Sequence, residues 1–224
     1  DILKISHCFI SHTHMDHFIG FDRMLRLFLG REKHLRLYGP KGFLKNVEGK
    51  LSGYSWNLVA NYQNRFLLDV TEVQSKHLLR KQYLCRKEFL PVGKKSKQPF
   101  TSILLDEPAL SVSTLILDHG IPCLAFSIKE TFHVNIIKDN LHHMGLEVGP
   151  WIRKFKELLY KEEPLDSVFE IDEGKASSKK SRFRLGDLKE KITHITPGQK
   201  LTYITDVAPT VSNIKKMEAF ARDS

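Results

Sequence analysis

Cysteine is scarce in this 224-residue chain: Cys8, Cys85 and Cys123 are odd in number, widely spaced and without a CxxC pair. A disulfide framework is thereby excluded, no zinc-ribbon or redox signature is present, and a reducing, cytoplasmic setting is expected. Long apolar runs are missing too. None approaches the roughly 18 residues that span a bilayer, and no charged segment followed by an apolar one marks a leader. The chain reads as soluble, with no membrane partner. No internal repeat is evident, and no histidine follows His194.

What is abundant is positive charge, +9 in all and unevenly placed. Lys76 to Lys97 holds eight Lys or Arg against Glu88 alone; Lys175 to Lys191 holds seven against Asp187 and Glu190. Such clusters attract a polyanion or, more plainly, form solvated basic loops.

The pattern of apolar residues gives an α/β chain of one domain. "DILKISHCFI" reads as a buried strand running into "HTHMDHF" without a turn signal, and Phe21, Met24 or Leu25, and Phe28 recur at helical spacing thereafter. "HLRLYGPKGFLKNV" reads as strand, Gly-Pro turn and helix start. Further strands are expected at "RFLLDVTEV", "FTSILLD", "LSVSTLILDHG", "PCLAFSIKE" and "KLTYITDV". Residues from about 129 to 197 read as a helical and basic insertion, with a helix break at Gly145 to Pro150 and a flexible basic loop at "EGKASSKKSRFR".

His12, His14, Asp16 and His17 are spaced two, two and one. Residues two apart do not share a helix face, so the four must converge from a loop at a strand end. Imidazole and carboxylate together suit zinc, with manganese or iron as alternatives, and so many ligands suit two ions better than one. His7, His34, His77, His133, His142, His143 and His194 read singly as surface or core residues. His119 differs, because it directly follows an apolar strand and precedes a Gly-x-Pro turn, the kind of place where α/β proteins put their sites. Asp206 likewise terminates an apolar strand and precedes a loop; Asp118 is either a supporting carboxylate or a solvated one.

"SHTHMDH" resembles the HxHxDH signature of the metallo-β-lactamase fold superfamily. The similarity to its ribonuclease Z branch is broader, through "LYGPKGF", "LDHGIPCLAFSI", "GLEVGPWIRKFKE" and "PGQKLTYITDVAP", from about Lys4 to Pro209. The resemblance implies a four-layer α/β/β/α sandwich in which His12, His14 and His119 hold one zinc, Asp16 and His17 belong to a second, and Asp206 bridges the two. It implies hydrolysis of a phosphodiester by an activated hydroxide, with Asp16 as proton acceptor and precursor tRNA, cut at its 3′ trailer, as the substrate. Pairing of two copies is left open.

Departures are clear. Thr205 and Val207 flank the aspartate where the branch has Gly and Thr, Ala125 to Ser127 replace a Gly-Tyr-Arg-like run, and no long Gly-Pro-bearing arm for the tRNA elbow is present. The segment Lys76 to Lys97 is its one candidate substitute. The branch also ends in a general-acid histidine and a last metal ligand, and this sequence has neither. The expectation is a chain truncated at both ends, with a degenerate paralogue as runner-up. Two other functions compete: hydrolysis of a small phosphodiester, thioester or lactone, since fold does not dictate substrate, and a non-catalytic remnant with an incomplete site.

Overall fold

The computed structural model describes residues 2–172 and 180–224. Part of "EGKASSKKSRFR" therefore lies outside the described residues. In chain order the elements are β1 (His7–Phe9), α1 (Met15–Phe18), α2 (Gly20–Phe28), β2 (Lys33–Gly39), α3 (Phe43–Ser52), β3 (Phe66–Val73), β4 (His77–Leu84), β5 (Leu90–Pro99), β6 (Ile103–Glu107), β7 (Leu110–Asp118), β8 (Pro122–Glu130), β9 (Phe132–Ile136), α4 (Lys138–His143), α5 (Trp151–Tyr160), β10 (Val168–Asp172), β11 (Lys180–Arg184), α6 (Leu185–Ile192), β12 (Thr193–Pro197), β13 (Lys200–Tyr203) and α7 (Val211–Ala221). No described helix is long and apolar enough to cross a membrane. The result is a mixed α/β chain with several sheets.

The chain divides into two compact units. The first comprises residues 1–104, 113–127 and 202–222. Its five-stranded sheet has the order β1-β2-β3-β4-β5, parallel over β1, β2 and β3 and antiparallel beyond. Side chains alternate across a strand, and β3 shows the consequence. Leu68 and Val70 face α2 and α3, meeting Phe21, Leu25, Phe28, Phe43 and Val47, while Val73 meets Leu124 and Phe126 of a second sheet with Phe9, Leu78 and Ile116 around them. Each such Phe or Leu, fully buried, stabilises by about 1.5–3 kcal/mol relative to exposure. The first unit thus runs helix layer, sheet, sheet, as the resemblance implied, and α7 is fastened to β7. The second sheet has the order β13-β8-β7-β6.

The second unit comprises residues 105–112, 128–201 and 223–224. It has its own core of Val134, Leu141, Leu146, Phe155, Leu159, Phe169, Ile171, Leu185, Leu188 and Ile192. Here α4 and α5 flank the expected break, but the segment is less helical than its sequence suggests: β9 pairs antiparallel with β12, and β10 with β11. Basic residues of "SRFR" lie in β11, not in a loop.

Three expectations about the first unit are corrected. The opening strand is short, His7–Phe9, behind a 3-10 turn at Ile2–Lys4. "HTHMDHF" is not all loop, because Met15–Phe18 closes one helical turn. Lys76 to Lys97 is a paired hairpin, β4 and β5, rather than a solvated loop. Its turn carries no glycine: Glu88 and Phe89 take positive φ of 56° and 54° themselves, so the usual hairpin signal is absent from the sequence.

Candidate metal centre

Three chain segments of the first unit converge on one point. The first leaves β1 as Ser11 to His14 and closes the turn that carries Asp16 and His17. The second is the end of β7, where Gly120 takes φ 76° and its N–H donates to Asp118 Oδ1 at 2.9 Å, turning the chain so that His119 projects beyond the strand. Asp118 is thus a turn residue and stands in no ligand group. The third follows β13, which ends at Tyr203, so Asp206 lies in the loop beyond it rather than on the strand. Asp206 has φ 41°, a region few residues other than glycine occupy, asparagine and aspartate being among those that do.

Two ligand groups result. Ring nitrogens of His12, His14 and His119 lie within 4.8 Å of one another, and so do the ligand atoms of His12, His17 and Asp206. His17 Nε2 is 2.7 Å from Asp206 Oδ2, and His12 Nε2 is 3.7 Å from the same oxygen, beyond hydrogen-bond reach. His12 is fully buried and its Nε2 has no hydrogen-bond partner. A buried polar atom left unpaired is costly, by about 1–3 kcal/mol. Burial, then the neighbouring imidazoles of His17, His14 and His119, hold its pKa below the ordinary histidine value, keeping the ring neutral as a metal ligand must be. Asp16 stands apart: its side chain is 82 % exposed, it belongs to neither group, and it approaches only His17, at 3.4 Å. The donor set fits zinc, in that three imidazoles are a ligand set used by catalytic zinc sites.

Support for these side chains comes from residues that carry no sequence signal. His12 Nδ1 is 3.3 Å from Ser11 Oγ and 3.8 Å from Cys123 Sγ, and the Cys123 thiol, its pKa pushed up to about 11 by burial, stays protonated and donates to Thr205 O. Asn213, 2 % exposed on α7, ties the other two segments together. Its Nδ2 donates to Asp118 O and Ala208 O, both at 2.8 Å, and its Oδ1 accepts from Asp118 N at 3.2 Å. A direct bond from Ala208 N to Asp118 O, 2.8 Å, completes the clamp. Thr210 caps α7 by accepting from Asn213 N, which fixes Asn213 in the first turn of the helix.

The remaining histidines stay outside both groups. His34 reaches Asp69 at 3.4 Å and His133 reaches Glu130 at 3.7 Å.

No family model matches the chain. Curated relatives do. Ribonuclease Z of Deinococcus radiodurans is 28% identical over 157 residues, covering 70% of this chain and 47% of that protein. Ribonuclease Z of Halalkalibacterium halodurans is 32% identical over 157 residues, covering 69% and 41%, and that of Methanocaldococcus jannaschii 26% identical over 156 residues, covering 69% and 40%. Among solved structures, human tRNase Z, short form, aligns over 58% of this chain and 46% of its own at 19% identity, with a TM-score of 0.35. Over about seven tenths of its length this chain is related to ribonucleases Z of bacteria and archaea, and it spans less than half the length of each of these curated relatives.

Proposed function

We propose that this chain carries the metal-binding part of a cytoplasmic, zinc-dependent phosphodiesterase of the ribonuclease Z type, on a metallo-β-lactamase-like α/β/β/α sandwich, that removes the 3′ trailer of precursor tRNA. The observation that carries the reading is the buried, unpaired His12 Nε2 at the junction of two ligand groups.

His12, His14 and His119 would hold one ion through ring nitrogens, His17 with Asp16 would serve a second, and Asp206 would serve both. Ions bound there would supply an acidified water and would stabilise charge on the attacking and leaving oxygens of a phosphodiester. The protein's own part is placement and proton handling. Ser11 and Cys123 fix the His12 ring from its Nδ1 side, Asn213 fixes the spacing of the His119 and Asp206 segments, and the exposed Asp16 carboxylate takes a proton at its free oxygen. Basic charge supports a polyanionic substrate. A cleft of about 570 Å³ is lined by Lys41, Lys45, Lys81 and Lys95 against Glu48 and Glu72, Lys81 being paired with Glu48 at 2.7 Å, and its helix, α3, is tied to the metal loop where Asn46 Nδ2 donates to Thr13 Oγ1 at 2.6 Å.

One observation favours a second reading. His12 belongs to both groups, so a second ion is left with His17 and Asp206 as ligands of its own, Asp16 lying outside the group. A chain that holds one ion would be a non-catalytic remnant. The test is zinc per chain by elemental mass spectrometry together with cleavage of a precursor tRNA bearing a 3′ trailer, against a chromogenic phosphodiester, a thioester and a lactone. Two zincs and a product ending at the mature 3′ terminus support the nuclease. A loaded protein that cuts only the small esters makes it a small-substrate hydrolase, and one zinc or none without cleavage makes it the remnant.

A further inference from the structure

On the face of the five-stranded sheet opposite its helices, register assembles polar residues from four strands. Arg36, Asp69 and Gln82 form one row, and Tyr38, Thr71, Arg80 and Ser96 the next. Asp69, 2 % exposed, is fully engaged. Its Oδ1 accepts from Arg80 Nε at 2.6 Å, and its Oδ2 accepts from Arg80 Nη2, from Gln82 Nε2 at 3.1 Å and from His34 Nε2 at 3.4 Å. The carboxylate therefore holds the Arg80 guanidinium in one orientation, and its charge is offset by that guanidinium.

A cavity of about 150 Å³ opens beside this pair, lined among others by Arg36, Thr71, Arg80, Ser96 and Gln98. The side chains of Arg36, Thr71, Ser96 and Gln98 make no hydrogen bond or ion pair among the described residues. Two guanidinium groups against one carboxylate leave the lining with net positive charge, and each unspent group can donate. The volume is well below the roughly 300 Å³ at which pockets for drug-sized ligands begin, so only a single small group fits. Planar guanidinium forks match a tetrahedral oxyanion in geometry.

We propose that this cavity binds one phosphate group, gripped by Arg36 and by the Arg80 that Asp69 orients. The group is either free phosphate or the terminal phosphate of a nucleotide whose nucleoside stays outside. The site is separate from the metal ligands and does not depend on the nuclease reading.

Calorimetric titration of the metal-free protein, held in chelator so that no ion takes the anion, tests it with inorganic phosphate and with adenosine 5′-monophosphate at constant ionic strength. Millimolar or tighter binding is expected, weakened about tenfold or more by Arg36→Ala, with Arg36→Lys between the two because it keeps the charge and loses the fork. The Arg36 side chain makes no bond, so both variants should melt with the wild type. Tighter binding of the nucleotide assigns the group to a nucleotide, and equal or tighter binding of phosphate assigns it to the free ion. Absence of heat with both probes, or binding that Arg36→Ala leaves unchanged in a folded protein, overturns the proposal.

Discussion

Two polar clusters sit in the first unit, and they treat burial in opposite ways. Around Asp69 the ionic group buried deepest has donors on both oxygens, supplied by Arg80, Gln82 and His34. Around His12 a group buried just as deeply keeps a nitrogen without a partner. The first cluster is a finished internal network, and its residues explain one another. The second is explained only by something the protein does not supply. A buried polar group with no partner is thus the more informative of the two, because its cost must be offset by a ligand.

The contrast breaks most visibly at Arg80. Arg80→Ala leaves Asp69 buried and charged with only Gln82 and His34 to donate to it, and because Arg80 itself is 44 % exposed the cost is that of lost hydrogen bonds to a charged group, about 1.5–3 kcal/mol. A loss of that size in urea unfolding is expected; a loss below about 1 kcal/mol would mean water reaches Asp69 and the network is not closed. Acid sharpens the same point. Against the burial that raises it, hydrogen bonds from Arg80 and Gln82 hold the Asp69 pKa below its ordinary value of 3.8. The unfolded chain then binds the proton first, so this contribution is complete above pH 3.8 and is lost as pH falls from there through the folded-state pKa. Asp69→Asn should flatten that acid limb of the stability profile.

At the other cluster the gain should come from outside. Zinc at a thousand times its dissociation constant stabilises a folded protein by about 4 kcal/mol. The wild type should gain this in thermal melts, and His12→Ala should gain nothing while losing less without metal than Arg80→Ala does. An equal zinc response in the two proteins would remove His12 from the site.

The clusters also differ in how far the sequence revealed them. His12, His14 and His17 are legible because their spacing is local, and His119 and Asp206 because each stands at or just past the end of an apolar strand, whereas Asp16 of the same motif falls outside both groups. Asp69 was hidden inside "RFLLDVTEV", where it reads as one polar residue in a buried strand, and its partner comes from β4, in a basic stretch with no hairpin signal. That pairing exists only through register, which a one-residue slip would invert. Cys123 and Asn213 were invisible for a related reason, because their partners, the His12 ring and Thr205 O for the one and the backbone of Asp118 and Ala208 for the other, are brought close only by the fold. The layering was legible in β2, β3, β7 and β8, whose apolar runs are unambiguous. It was lost in β4 and β5, where Lys and Arg on an edge hairpin mask the alternation.

Asn213 tests whether the spacing between metal segments is imposed from outside the ligand set. Truncation to Ala removes the bridges to Asp118 and Ala208, and changes to groups that support ligands typically cost 10–100-fold in metal affinity. Asn213→Ala should weaken zinc by about that factor, with a changed visible spectrum when cobalt replaces zinc. Unchanged affinity and spectrum in a merely destabilised protein would make Asn213 a structural residue alone.

The smallest effect belongs to Asn46, whose amide reaches Thr13 between two of the ligands. This bond is exposed, so its net worth in stability is at most about 0.5–1.5 kcal/mol. Its place in the chain makes it more telling than its energy. If the metal loop is already held by the turn at Met15–Phe18 and by the bond from Leu124 N to Ser11 O, 2.8 Å, then Asn46→Ala should leave zinc affinity within about twofold while lowering stability slightly. A larger loss of zinc would show that α3 positions the ligands as well as bearing the basic cleft, and the His12 cluster would then lean on the helix layer as firmly as Asp69 leans on β4.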